Sequence, residues 1–180
     1  NNIIKGYAKI INPDEPRIEA DITTHIHLQD IKQFIPVKSF NIAGDLALIL
    51  KVNGTYNPGK KLFPVTEAKL QVQNGEIQTA YYPNPIQKIN ILTNIINTDG
   101  TLAGTEVQVQ PVNFEFEGQP FTMKAEIKNQ DDVQYDIVSD GTIDLGIYKV
   151  FAVDSYDVTG LIEANFSLKG RQSDAVAGRD

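Results

Sequence analysis

Phe40-Asn-Ile-Ala-Gly-Asp-Leu-Ala-Leu-Ile-Leu-Lys-Val-Asn-Gly54 decides the fold. Its even positions are Phe40, Ile42, Gly44, Leu46, Leu48, Leu50, Val52 and Gly54. A period of two is the signature of a strand with one apolar face; an amphipathic helix spaces its apolar residues three and four apart. The stretch Tyr156–Gly170 reads the same way. Its even positions are Tyr156, Val158, Gly160, Ile162, Ala164, Phe166, Leu168 and Gly170, and its odd positions are polar except Leu161. Fourteen steps of a strand span roughly 45 Å, whereas ordinary strands hold about five or six residues. Strands of this length predict a broad sheet rather than a compact small barrel. A bend or bulge near Gly44 or Gly160 would divide each of them.

Outward from these two runs, further strands are expected at Tyr7–Ile11, Arg17–Leu28, Val65–Val72, Glu76–Tyr81, Ile86–Ile96, Gly104–Gln110, Val112–Phe116, Phe121–Ile127 and Val133–Leu145. Asn74-Gly75, between two alternating runs, is the strongest hairpin signal. Asn97-Thr98-Asp99-Gly100 and Glu117-Gly118-Gln119-Pro120 mark two more turns. Pro111 is expected to break pairing, because the apolar parity changes there. Helix is scarce: Leu28, Ile31 and Ile35 have helical spacing ahead of Pro36, and a second short helix is expected near Gly146–Phe151. The predicted fold is all-β: a large twisted antiparallel sheet, a meander that is curved or sandwich-like, with one or two short helices.

The 180 residues suffice for one sizeable β-rich domain, 1–180. The first residue is Asn1 and the tail is small and polar, so the chain reads as a piece of a larger repetitive protein. A net charge of −7 and the lack of any basic run longer than Lys60-Lys61 argue against nucleic-acid binding. Cysteine is absent, which removes thiolate metal sites, disulfides and cysteine nucleophiles. No run of about 18 apolar residues is present to span a bilayer as a helix.

Two segments look like copies of one unit, approximately 7–54 and 123–170. Gly44 and Gly160 stand 116 residues apart (160 − 44), as do Gly54 and Gly170 (170 − 54). Upstream the offset becomes 117: Ile26 matches Ile143, Leu28 matches Leu145, Phe34 matches Phe151, and Asn12 and Asp14 match Asn129 and Asp131. Repetition of this kind suggests a sheet lengthened by serial addition, whose unit does not close its own edges.

Four patterns carry a resemblance to a known family. They are the long Gly-x-Leu-x-Leu-x-Leu-x-Val-x-Gly-like strand at Gly44–Gly54, echoed at Gly160–Gly170; Ala68-Lys-Leu-Gln-Val-Gln-Asn-Gly-Glu-Ile77 followed by Tyr82-Pro-Asn-Pro-Ile86; the Phe114–Asn129 pair of strands; and Gly141-Thr-Ile-Asp-Leu145. Together they resemble the AsmA family of envelope proteins, in particular its Bacteroidetes-type members, over most of residues 5–172. The first copy departs from the Ile-Asp-Leu pattern, with His27 where the second has Asp144. The resemblance implies a non-catalytic structural or lipid-transport segment of a periplasmic protein of outer-membrane biogenesis. The parent would be held in the inner membrane by an anchor absent from this chain. The implied ligand is the acyl chains of phospholipid, and no cofactor is implied.

The candidate site is the apolar face itself, formed by Ile42, Leu46, Leu48, Leu50, Val52, Val158, Ile162, Phe166 and Leu168. It reads either as a lipid-facing surface or, by preference for this segment, as a sealed core packed against a second layer. Other constellations read as solvated surface. His25-Ile26-His27 sets two imidazoles on one strand face without an evident third metal ligand. Asp14-Glu15 and Asp131-Asp132 fall in matching turns and read as turn acids rather than a calcium site. No nucleophile elbow, phosphate loop or Ser/His/Asp arrangement is present, and no enzyme activity is expected. The alternative function is a β-sandwich module recognising protein or glycan at the cell surface, with Tyr81 and Tyr82 beside Pro83 and Pro85 as its aromatic contact.

Overall fold

The structure, a computed structural model, describes residues 2–12, 14–33, 40–151 and 158–176. They form a single antiparallel sheet. In chain order its strands are β1 (Ile3–Ile11), β2 (Arg17–His27), β3 (Phe40–Thr55), β4 (Val65–Thr79), β5 (Ile86–Asn97), β6 (Thr105–Phe116), β7 (Gln119–Lys128), β8 (Gln134–Asp144), β9 (Leu161–Glu163) and β10 (Phe166–Arg171). Each strand from β1 to β8 pairs with its sequence neighbours, and β9 and β10 both pair with β8. Three short 3-10 helices, η1 (Leu28–Gln33), η2 (Pro58–Lys60) and η3 (Leu145–Phe151), and one short helix, α1 (Gln172–Val176), complete the described residues. The expected all-β meander is what forms, and of its two predicted shapes it takes the open sheet rather than the sandwich.

The long alternating run is one strand: β3 passes through Gly44 without stopping. Its counterpart is interrupted. Residues 158–160 precede β9, the Gly160 carbonyl accepting from the Leu145 N–H at 2.9 Å, and the break falls at Ala164-Asn165 rather than at Gly160. The break keeps register, because Thr142↔Glu163 on one side and Ser139↔Phe166 on the other belong to the same alignment. Side chains splice the ladder across it. The Ser139 hydroxyl donates to the Ala164 carbonyl, the Ala164 N–H donates to the Gly141 carbonyl at 2.9 Å, and the Gly141 N–H donates to Asn165 Oδ1 at 2.9 Å.

Asn74-Gly75 is not a hairpin. It is a bulge inside β4, where Ala43↔Glu76 and Asp45↔Gln73 leave one extra residue on β4. Asn74 takes the left-handed conformation (φ 50°) and Gly75 is buried against Gly44: a Cβ on Gly44 would lie 2.8 Å from Gly75 Cα. Local sequence chemistry is the same for a tight turn and for this bulge, and the close approach of β3 selects the bulge. Pro111 likewise stays within β6, in a register shift between Val109 and Val112, so the parity change is real but the strand is continuous. Lys88 (φ 53°) marks a third irregularity on β5. The three lie within a few residues of one another across β4, β5 and β6 and crease the sheet, since bulges bend strands and increase twist. The Glu117-Gly118 turn holds both residues at positive φ (50° and 75°), as a two-residue hairpin requires.

The pairing registers recur along the chain. Ile11↔Arg17 in the first hairpin corresponds to Lys128↔Gln134 in β7–β8, both residues moved by 117. Arg17↔Thr55 corresponds to Gln134↔Arg171, moved by 117 on one strand and 116 on the other. Asn12 and Asn129 share a left-handed φ of 55° and 54°. The Tyr56 N–H donates to the Pro16 carbonyl (2.8 Å) where the Gln172 N–H donates to Val133 (2.9 Å). The helices η1 and η3 follow β2 and β8 at the same interval. Phe34, the expected match of Phe151, lies outside the described residues.

One end of the sheet is laced by its loops. The Phe63 N–H donates to the Gly100 carbonyl (2.8 Å) and the Gln130 N–H to the Leu102 carbonyl (2.9 Å). Lys60 pairs with Glu15 of the β1–β2 turn, and Lys61 with Asp131 of the β7–β8 turn. In a flat sheet the β3–β4 loop and the β7–β8 turn would stand four strand spacings apart, about 19 Å. A single lysine does not bridge that distance, so this end of the sheet is curled.

Candidate functional site

Strand register places side chains on faces without ambiguity, because paired residues share a face. One row runs from edge to edge: Ile4, Thr24, Leu48, Leu70, Thr93, Val109, Ala125, Ile137 and Leu168. The next row on the same face is Gly6, Ile22, Leu50, Ala68, Ile95, Val107, Ile127, Tyr135 and Gly170. Neither row holds a charged side chain. Thr24, the polar residue of β2 in the first, is buried, and its hydroxyl donates to the Ile3 carbonyl at 2.9 Å. The reverse face is of opposite character. The row Lys5, Thr23, Ile49, Lys69, Asn94, Gln108, Glu126, Asp136 and Lys169 is polar except Ile49.

Of the sequence-predicted residues, Ile42, Leu46, Leu48, Leu50 and Val52 lie on the apolar face of β3 and are half-buried. Ile162, Phe166 and Leu168 join that face through their partners Ile143, Ser139 and Ile137, and are 48%, 48% and 49% exposed. Val158 precedes β9, which begins at Leu161, and is 42% exposed. The contributions of β4 to β8 were missed. Their alternation was visible in Val107–Val109 and Ala125–Ile127, but the bulges hid that these residues continue the β3 row.

The sealed-core reading required a second layer, and the described residues supply one only at one end. There η3 lies over the region beyond the crease. Val150 (1% exposed) packs with Ile86 and Phe116, surrounded by Ile77, Tyr82, Ile89, Phe114 and Ile147. Tyr82 tilts against Phe116 at 5.5 Å between ring centres. Hydrogen bonding to Glu117 and partial burial push its phenol pKa up; Glu117 is drawn down by the Asn84 amide and then by Tyr82. At the same end η1 lies against β2 and β3, and over the rest of the rows across β1 to β10 the described residues supply no covering element. The chain exposes 11362 Å² of surface. A compact monomer of 19.9 kDa exposes about 8,700 Å² by the usual scaling.

The remaining candidates are placed as follows. His25 and His27 stand edge to face, ring centres 5.6 Å apart, and His27 Nδ1 is 2.6 Å from Asp45 Oδ1. Among the described residues no cluster of three or more His, Cys, Asp or Glu forms a metal site. Glu15 is held below its ordinary pKa by the Lys60 ammonium, and Asp132 accepts from the Ser173 N–H and hydroxyl. These turn acids are engaged in lacing the loops. Tyr81 is exposed and Tyr82 belongs to the η3 core, so the two do not form one aromatic surface. Open depressions of about 390 and 350 Å³ are lined chiefly by polar residues such as Gln108, Lys124, Asp136 and Lys169. No helix of the described residues is long and apolar enough to cross a membrane.

The chain matches no protein family, no curated protein and no solved structure. The chemistry of the two faces is therefore the ground on which function is argued.

Proposed function

We propose that this chain is a non-catalytic segment of an AsmA-like periplasmic protein of outer-membrane biogenesis, and that its apolar face shields or conducts phospholipid acyl chains. The reading places the inner-membrane anchor elsewhere in the parent. One observation carries it: an uncharged row from Ile4 to Leu168 crosses nine strand positions, about 38 Å at the usual spacing, with no second layer over most of it among the described residues. Exposed apolar patches beyond a few hundred Å² mark interaction surfaces rather than ordinary protein surface. An acyl chain suits such a strip because it asks for area and no directional bonds. Each methylene removed from water contributes about 0.8 kcal/mol, so eight would contribute roughly 6 kcal/mol before ordering costs. The polar reverse face keeps the other side of the sheet in water.

Native mass spectrometry of protein purified without detergent tests the proposal. Phospholipid bound to the chain, exchangeable for a fluorescent analogue, is the expected result. Clean apo protein that takes up no analogue overturns it.

A further inference from the structure

The last strand has an interior counterpart. β10 pairs with β8 in the register by which β3 pairs with β2, and the bonds from Tyr56 to Pro16 and from Gln172 to Val133 recur at the same interval. The two strands differ on their other side. β3 is paired there by β4, from Phe40↔Thr79 to Asn53↔Val65, whereas β10 forms the edge of the sheet among the described residues. The polarity of that edge follows from two bonds. The N–H groups of Ala164 and Gln172 both point into β8. Backbone groups alternate sides along a strand, so Ser167 and Lys169 turn their N–H and C=O toward the open side. Phe166 and Leu168 beside them are about half exposed. An unpaired edge flanked by exposed apolar side chains is a template for another strand.

We propose that the open edge of β10 accepts an added antiparallel strand of the β4 pattern, one that alternates apolar and charged residues as Thr66-Glu-Ala-Lys-Leu-Gln-Val72 does. The internal offset also fixes its register. Thr66 faces Val52 and Ala68 faces Leu50; moved by 116, the same strand sets its Thr66 position opposite Leu168 and its Ala68 position opposite Phe166. In that register the apolar residues of the new strand extend the uncharged face. The β1 edge of a second copy does not meet this condition, because laid antiparallel on β10 it would turn its apolar face to the opposite side. The proposal stands on pairing geometry and does not depend on what the apolar face binds.

Cysteine is absent from the chain, so introduced thiols report position without background. The full chain carrying Leu168→Cys is oxidised with peptides of residues 65–73 that carry a single cysteine at 66, 68 or 70. Leu168 points its backbone into β8, so it meets an added strand in a non-hydrogen-bonded pair, with Cα atoms about 4.5 Å apart, within disulfide range. The Thr66→Cys peptide is expected to couple several-fold faster than the other two. Ser167→Pro, which removes an outward N–H while leaving the β8 bonds intact, is expected to abolish that preference with the circular dichroism unchanged. Lys169→Pro provides the same block should Ser167→Pro not fold. Equal coupling of the three peptides, or none, overturns the proposal. So does a Leu168–Leu168 linked dimer of the cysteine variant that outcompetes the peptide, an outcome that assigns the edge to a second copy.

Discussion

Gly118 and Gly44 both hold φ in the region that disfavours a side chain, at 75° and 117°, but their surroundings differ. Nothing lies within 4 Å of a Cβ on Gly118. Gly118→Ala is therefore expected to cost only the left-handed backbone penalty, about 1 kcal/mol. A Cβ on Gly44 would meet Gly75 Cα at 2.8 Å and the Asn74 carbonyl oxygen at 2.9 Å, all backbone. Gly44→Ala adds displacement of the bulge to the conformational cost and is expected to lose about 3 kcal/mol. Urea denaturation of the two variants side by side measures the difference. A second residue-scale expectation concerns Asp99, whose carboxylate accepts from the Thr101 N–H and hydroxyl at 2.9 Å each. These bonds hold its pKa below the ordinary 3.8. A depressed folded pKa means that the contribution is complete above the ordinary value and fades as pH falls through the lowered one. Titration by NMR should place the Asp99 midpoint below 3.8, and Thr101→Val should move it upward by removing the hydroxyl. An unmoved midpoint would refute the role given to that hydroxyl.

At the scale of elements, the covered end of the sheet depends on one aromatic side chain. Phe116 is 2% exposed, joined to Val150 of η3 and to Ile86. Phe116→Ala is expected to destabilise by about 3–5 kcal/mol, and amide exchange in Leu145–Phe151 should accelerate more than in β1 and β2, which supply none of the cluster's residues. Much of this level was legible in the sequence. The alternation of Phe40–Gly54 gave β3 almost to the residue, and the short helices after β2 and β8 followed from the change of spacing at Leu28 and Gly146. The joints were harder. Asn74-Gly75 carries the residues of a two-residue hairpin, and only the neighbouring backbone of β3 makes it a bulge within a 15-residue strand. The break at Ala164-Asn165 is likewise set by partners on β8, Ser139 and Gly141, that sequence spacing does not announce.

For the whole molecule, what periodicity left open was whether the apolar face is covered, because alternation looks the same under a second sheet and under a ligand. The residues it grouped share one face of β3, β9 and β10 by register, except Val158, which precedes a strand that begins only at Leu161. The contrast between the two faces yields a sidedness test. Leu48 and Ile49 are adjacent in β3 and point to opposite faces. If lipid occupies the apolar rows, Leu48→Asp sets a charge among Thr24, Leu70 and their neighbours and should sharply reduce uptake of a fluorescent phospholipid. Ile49→Asp, on the polar face and 45% exposed, should leave uptake near that of the parent. Equal losses from both would separate lipid binding from this face.

Each strand up to β8 is held by its neighbours in sequence, and the two outermost strands lie at opposite margins. Tension applied between β1 and β10 therefore acts across the strands and opens one ladder at a time, as a zipper yields, instead of shearing many bonds at once. Such a molecule should extend under an optical trap in a series of small releases at low force, each the length of a strand or hairpin, and should re-form in the reverse order when slackened.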